Sequence, residues 1–439
     1  MTADRETQTP TDEADTFPRP PPVLGQRRAL FAIVIPSIMT VTVLLAAALT
    51  LPSCAGESTV GSGGGSTTLA INAAGLNWVR VPIDEQGWLI PDSLAATPYG
   101  FVLFARPTAE YSWPTESSGP ASRWESTNGL EWAPMGTDED TFRSGERIGN
   151  LVGNSWGAVA MGVVYPPSDD DQGEPEYLIW TSEDGQSWKR TDWPAGCYPN
   201  EPLTVGPAGY LLGERRNDQS RLLHSPNGLA WEPVDLPDNV EVISGAGFAG
   251  GFAAWGREFD MEAWPWLLLT STDGHQWTIR SMDEALGRHG EATFSAWREE
   301  VVTLVNLEID DAFRGDKGLW RSSDGIAWTE MEGAPIVNAD GSWPEFISSG
   351  DAGIFLTGLT QEPQQPPKTT VVWFSSDGEV WHRAETADVF GSGWSIVRTA
   401  VGNNAVLVAT MADEEPTDSD QGDSFTLPPV GIWIGTPTS

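Results

Sequence analysis

The sequence predicts an all-β chain made of seven repeated four-stranded units, and three observations predict it. A seven-residue pattern, Ser-x-Asp/Asn-Gly-x-x-Trp, occurs six times, at 126–132, 182–188, 225–231, 271–277, 322–328 and 375–381. The motif tryptophans, counted from Trp78 in a shortened copy, are spaced 54, 56, 43, 46, 51 and 53 residues apart. A period near fifty with one turn signal per unit marks a repeat architecture. Eight residues before each motif Trp stands an apolar residue, namely Trp124, Trp180, Leu223, Leu269, Trp320 and Trp373. Gly-rich apolar runs between the motifs supply two further strands per unit, and that content is a β-propeller.

Each motif joins two strand-like runs. An Asp-Gly or Asn-Gly pair in that setting predicts a tight hairpin with positive φ at both central residues. The acceptors Asn128, Asp184, Asn227, Asp273, Asp324 and Asp377 are expected to take backbone N–H bonds inside the turn. The Trp is expected on the returning strand, where its ring adds buried area. These residues read as a folding device, since one carboxylate per turn supplies too few ligands for a metal site.

The seventh unit is split. Gly75-Leu76-Asn77-Trp78 keeps only the second half of the motif, and Trp433 near the C-terminus occupies the position eight before a motif Trp that never follows. The strand at 75–81 therefore completes the last blade beside 432–434 and closes the ring.

On these motifs the chain resembles the Asp-box (BNR) repeat family, whose propellers include sialidases, glucanases and noncatalytic receptor and assembly-factor domains. Here Asp and Gly are adjacent, and the family's Thr before the Trp is replaced, for instance by Ser187, Ala230 and Gln276. The resemblance covers nearly all of 69–439. It implies blade hairpins and leaves activity open. A sialidase would need an arginine trio, an acid/base Asp and a late Tyr–Glu pair. The six tyrosines are Tyr99, Tyr111, Tyr165, Tyr177, Tyr198 and Tyr210, none of them late. Arg80-Val81-Pro82 only echoes the family's first-blade signature, and no catalytic residue carries over. Arg321 and Arg383, which flank motif strands, read as blade-surface residues.

Composition bounds the partners and the address. A formal net charge of −38 excludes a nucleic-acid footprint and disfavours anionic lipid. Residues 1–28 are Pro/Thr/Asp-rich and are expected to be a disordered cytoplasmic tail. Residues 29–51 carry no charge and are long enough to cross a bilayer. Arg27 and Arg28 precede that segment and the next basic residue is Arg80, so the propeller is expected outside the cell. A Gly/Ser-rich linker at 52–68 would tether it. Leu51-Pro52-Ser53-Cys54 also resembles a lipobox with Cys54 as lipid acceptor, and Arg27-Arg28 a twin-arginine signal. The apolar run exceeds the roughly 7–15 residues of a cleavable signal core, which favours the uncleaved anchor. Either way the expectation is a single-pass or lipid-anchored bacterial surface protein, monomeric.

The two cysteines, Cys54 and Cys197, and four histidines, His224, His275, His289 and His382, supply no zinc pattern. No cofactor is expected. The long acidic loops between second and third strands are the expected binding face, because variable loops on a rigid scaffold carry recognition. Within them Asp169, Asp170, Asp171 and Asp418, Asp420, Asp423 have an acid spacing compatible with Ca²⁺, although neither run completes a Ca²⁺-loop pattern. Trp113, Trp193, Trp343 and Trp394 are candidates for stacking on a sugar. The expected function is a noncatalytic module binding a protein or glycan; the alternative is a divergent glycoside hydrolase with paired carboxylates in the funnel.

Overall fold

The computed structural model describes residues 71–81, 89–107, 122–135, 141–142, 146–164, 175–193, 198–216, 219–258, 265–287, 290–307, 317–335, 342–360, 369–412 and 430–438. They form seven antiparallel sheets. Blade 1 holds β3 (Leu89–Ala96), β4 (Phe101–Pro107), β5 (Ser122–Ser126) and β6 (Ala133–Pro134). Blade 2 holds β7 (Arg147–Asn154), β8 (Gly157–Val164), β9 (Glu176–Ser182) and β10 (Lys189–Asp192). Blade 3 holds β11 (Tyr198–Gly206), β12 (Gly209–Arg216), β13 (Gln219–Ser225) and β14 (Glu232–Pro233). Blade 4 holds β15 (Val240–Phe248), β16 (Gly251–Glu258), β17 (Trp266–Ser271) and β18 (Thr278–Ser281). Blade 5 holds β19 (Gly290–Trp297), β20 (Glu300–Leu307), β21 (Lys317–Ser322) and β22 (Thr329–Glu330). Blade 6 holds β23 (Ser342–Gly350), β24 (Gly353–Thr360), β25 (Thr370–Ser375) and β26 (His382–Glu385).

Blade 7 joins the two ends of the domain. Its strands β27 (Trp394–Val401), β28 (Val406–Ala412) and β29 (Val430–Pro437) are continued by β2 (Leu76–Val81) and β1 (Ile71–Ala73). Val79 faces Ile434, Arg80 faces Trp433 and Val81 faces Ile432, the register expected from the split seventh unit. The fifth strand, β1, was not legible in the motif pattern. It turns into β2 through Ala74 and Gly75, at φ 53° and 69°, so this hairpin does use two positive-φ residues.

Among the described residues there is no single central core. Seven apolar clusters each lie between two neighbouring blades, and the one joining blade 7 to blade 1 packs Leu94 and Phe101 with Leu407, Ile432 and Ile434. An open row of seven blades would leave one interface unmade. Second strands are covered on both faces, which is why β8, β16, β24 and β28 read as nearly unbroken apolar runs. The residues eight before each motif Trp, with Trp433, are all buried.

The motif turn differs from the two-residue hairpin expected of it. Between β5 and β6 it spans 126–132, and in all six copies only the Gly has positive φ, from 70° to 88°. The Asp or Asn Oδ1 accepts the N–H groups two and three residues on, at 2.7 and 2.8 Å from Ile326 and Ala327 to Asp324. The motif Ser Oγ accepts the Gly N–H at 2.7–2.9 Å in every copy. With three amides taken by side chains, the loop widens without leaving donors unpaired. The Trp sits one residue before the returning strand, half-buried. In four copies its indole Nε1 donates to the Gly carbonyl, at 2.9 Å from Trp132 to Gly129.

The turn also locks onto the preceding blade. Gly228 lies on Thr181, where an added Cβ would come within 2.2 Å of Oγ1, and Gly274 lies on His224 in the same way, 2.4 Å from Cδ2. Two one-turn helices, α1 (Met282–Leu286) and α2 (Thr386–Phe390), follow blades 4 and 6 and were not anticipated. Among the described residues no helix is long and apolar enough to cross a membrane. The segments expected at 1–28, 29–51 and 52–68, Cys54 among them, lie outside the described residues.

Candidate functional site

The first strand of each blade, β3, β7, β11, β15, β19, β23 and β27, neighbours the first strand of the next, and β27 returns to β3. These seven inner strands surround one axis. Each pairs with its own second strand on one side only, so the backbone groups of its other edge need partners or water. Small hydroxyl and amide side chains supply several across the blade gaps. Thr204 Oγ1 accepts from Gly247 N at 2.9 Å, and Ser295 Oγ accepts from Ser349 N at 2.9 Å. Ser349 Oγ donates to Ala296 O at 2.7 Å, and Asn154 Nδ2 to Val205 O at 2.7 Å. The Ser348 and Thr399 hydroxyls pair at 2.6 Å.

Six of the seven inner strands carry a register shift near mid-strand, as between Pro91 and Ser93 or Pro344 and Phe346. Bulges re-aim side chains, and two basic residues use them. Arg398 Nε donates to Asp92 O at 2.8 Å, tying the last blade to the first. Burial lowers its pKa, while Asp92 acts to raise it. Lys317 Nζ donates to Pro344 O at 2.6 Å. Burial pushes this lysine down to about 8, against the opposing pull of Glu345.

On the face where first strands turn into second strands, the axis opens into a shallow recess exposed to solvent. Five blades line it, through residues that include Thr97, Asn154, Ser155, Arg298, Asp351 and Asn403. Arg298 is the residue sequence reasoning missed. Blades 2, 3, 4 and 6 begin their second strand with Gly157, Gly209, Gly251 and Gly353, all at positive φ. Blade 5 has Glu300 there, and the positive φ moves back to Arg298, at 56°. The absent glycine was the available signal. A non-glycine residue in this region stores roughly 1–3 kcal/mol of strain and draws attention to the site. Its guanidinium lies 5.2 Å from the Trp297 ring and donates to Ser376 O of the next blade at 2.9 Å.

The six motif turns share this face. Phe101 faces Ser126 across β4 and β5, so first-to-second and third-to-fourth turns come together. Leu130, Leu229 and Ile326 follow the motif Gly, and Val380 follows one position later. All four are 45–56 % exposed, and Tyr99 in the neighbouring turn of blade 1 is 45 % exposed. The clamped amides fix these side chains outward.

The face expected to bind is the opposite one. Its acid runs Asp169, Asp170, Asp171 and Asp418, Asp420, Asp423 lie outside the described residues, as do Trp113, His289 and Cys197. Trp193 is buried in the core between blades 2 and 3 and has no ring face for a sugar. Trp394 packs against the core of blades 6 and 7, with the Arg80 guanidinium 5.6 Å from its ring. Trp343 is half-buried in β23. Among the described residues no group of three or more His, Cys, Asp or Glu is placed to hold a metal. His224 is buried, with Nε2 2.9 Å from Ala208 O and the His275 ring 4.3 Å away.

No protein-family model matches the chain, and no curated protein matches its sequence. Solved structures similar in fold include the β-propeller domain of the trilobed protease of Pyrococcus furiosus, at 10 % identity and TM-score 0.43, over 66 % of this chain and 82 % of that one. The acylaminoacyl peptidase of Pyrococcus horikoshii aligns at 12 % identity and TM-score 0.42, over 77 % of this chain and 54 % of that one. The subtype N11 neuraminidase-like protein of A/flat-faced bat/Peru/033/2010 aligns at 9 % identity and TM-score 0.39, over 84 % and 95 %.

Proposed function

We propose that this chain is a membrane-anchored, extracytoplasmic propeller that acts as a noncatalytic binding module, and that its partner is a protein with a basic, apolar-studded surface. The observation that carries the reading is the turn-side face. It combines a central recess with the exposed side chains of Leu130, Leu229, Ile326, Val380 and Tyr99 on a chain of net charge −38. Apolar side chains supply contact area, and opposite charge supplies steering and selectivity. Trp193 lies in the core between blades 2 and 3 and Trp394 packs against the core of blades 6 and 7, which weighs against two of the sugar-stacking candidates and favours a protein over a glycan.

The test is a binding screen of the full-length chain against secreted basic proteins and cell-wall glycans, run beside a broad panel of glycosidase substrates. Saturable protein binding, lost when Leu130, Leu229, Ile326 and Val380 are all changed to Ser, supports the reading. Turnover of any glycan defeats it and returns the divergent hydrolase.

A further inference from the structure

Asn128 and Asn227 are the only asparagines in the chain followed by glycine, and both occupy the acceptor position of an Asp-box turn. The other four turns carry Asp184, Asp273, Asp324 and Asp377 at that position. An Asn-Gly pair is the sequence most prone to spontaneous deamidation, because glycine leaves the attacking amide unshielded. We infer that Asn128 and Asn227 are deamidation sites whose reaction is held off by the closed turn, so that conversion proceeds through local opening of blades 1 and 3.

The chemistry needs only water. The Gly228 nitrogen attacks Asn227 Cγ, and its proton leaves with the side-chain nitrogen as ammonia. The resulting succinimide is opened by one water at either carbonyl, giving Asp or isoaspartate. The closed turn opposes each requirement. Gly228 N–H is buried and donates to Ser225 Oγ at 2.9 Å, as Gly129 N–H does to Ser126 Oγ at 2.8 Å. The Asn oxygens are also pinned. Asn128 Oδ1 accepts from Leu130 and Glu131 at 2.8 and 2.9 Å, and Asn227 Oδ1 accepts from Leu229 and Ala230 at 2.9 and 3.3 Å. Bringing the Gly nitrogen onto Cγ breaks these bonds together.

The products differ in consequence. Aspartate reproduces the clamp of the four sister turns. Isoaspartate lengthens the backbone by one methylene and cannot place its carboxylate on the same two amides. The longer bond to Ala230 makes Asn227 the more easily opened of the pair. Both sites read Asn-Gly-Leu, so an unfolded chain offers no comparable difference.

The experiment is peptide mapping by mass spectrometry of the full-length chain held in mildly alkaline buffer, native and in urea. Expected are deamidation at both sites at least roughly tenfold slower in the native protein, as local opening requires, and native Asn227 reacting ahead of Asn128. Ser225→Ala should accelerate Asn227 and leave Asn128 unchanged, the latter serving as a check on the fold. Equal native and unfolded rates overturn the inference. So does a Ser225→Ala protein in which Asn128 keeps its native rate and Asn227 does not accelerate.

Discussion

The backbone amide and the hydroxyl of Thr438 both donate to the carbonyl oxygen of Gly75, each at 3.0 Å. The two residues are 363 positions apart, and the contact caps the hairpin that closes the ring. Behind it, fully buried Trp78 packs edge-on against Phe390, with centroids 5.3 Å apart, and against Phe355 at 6.1 Å. Closure is thus fastened in the core between blades 6 and 7 as well as along the strand edge.

Trp78→Ala empties that fastening and is expected to cost about 3–5 kcal/mol, the range for a buried aromatic truncation. Chemical denaturation reads the change. A loss below about 1 kcal/mol would mean that closure does not hold the domain together.

The six clamps are unequal. Ala230 N lies 3.3 Å from Asn227 Oδ1, whereas the matching amides in the Asp turns lie at 2.7–2.9 Å. A carboxylate is the stronger acceptor, so Asn227→Asp is expected to stabilise the domain by roughly 0.5–1 kcal/mol. Asp324→Ala should destabilise it by about 1–2 kcal/mol, as lost side-chain caps do. Equal melting temperatures for all three proteins would argue against the clamp.

Acid should loosen the same turns. Amides of Gln276 and His275 hold Asp273 below the usual carboxylate range, and Ala327 and Ile326 do the same for Asp324, as Val380 and Glu379 do for Asp377. A depressed folded pKa contributes stability that is present above the unfolded value, about 3.8, and lost as pH falls through the folded one. Unfolding free energy measured from pH 5 down to 2 should decline, less steeply in a triple Asp→Asn variant.

His224 sets a second window. Burial lowers its pKa below 6.5, while the Ala208 carbonyl acts to raise it. The unfolded chain therefore binds this proton more readily, and stability should fall as pH drops from 6.5 toward the lowered folded value. Thr181 and Thr270 occupy the matching position in blades 2 and 4, so His224→Thr fits the site. That variant should flatten the stability profile between pH 7 and 5; an unchanged slope would assign it to other groups.

The Gly228–Thr181 contact predicts blade coupling. Gly228→Ala places a methyl against Thr181 and adds positive-φ strain, for a cost of about 1–3 kcal/mol. Thr181→Gly should recover the steric part only. A double-mutant cycle with coupling near zero would deny that the turn locks onto the preceding blade.

The sequence by itself determined the period, the number of blades, the residues that clamp each turn and the pairing of the propeller's first and last strands. Those features are local or repeated: an Asp, a Gly and a Trp within seven residues meet through short-range hydrogen bonds, and the half-motif at 75–78 implies its complement near Trp433. It also yielded the apolar second strands, since a strand covered on both faces carries no polar alternation. It did not yield the conformation of the turn. Two side-chain acceptors on three consecutive amides favour a wider loop than the Asp-Gly pair suggests alone.

Only the tertiary structure decided what stands beside what across the blade gaps. Thr181 under Gly228, Arg398 on Asp92 and the hydroxyl bridges of the inner strands join residues about fifty or several hundred positions apart, without a motif. The recess and its Arg298 arise the same way, because five separate turns converge on the axis once the ring has closed. Periodicity fixes the blades, but the surface at their common centre is made by closure, and closure is a property of the whole chain.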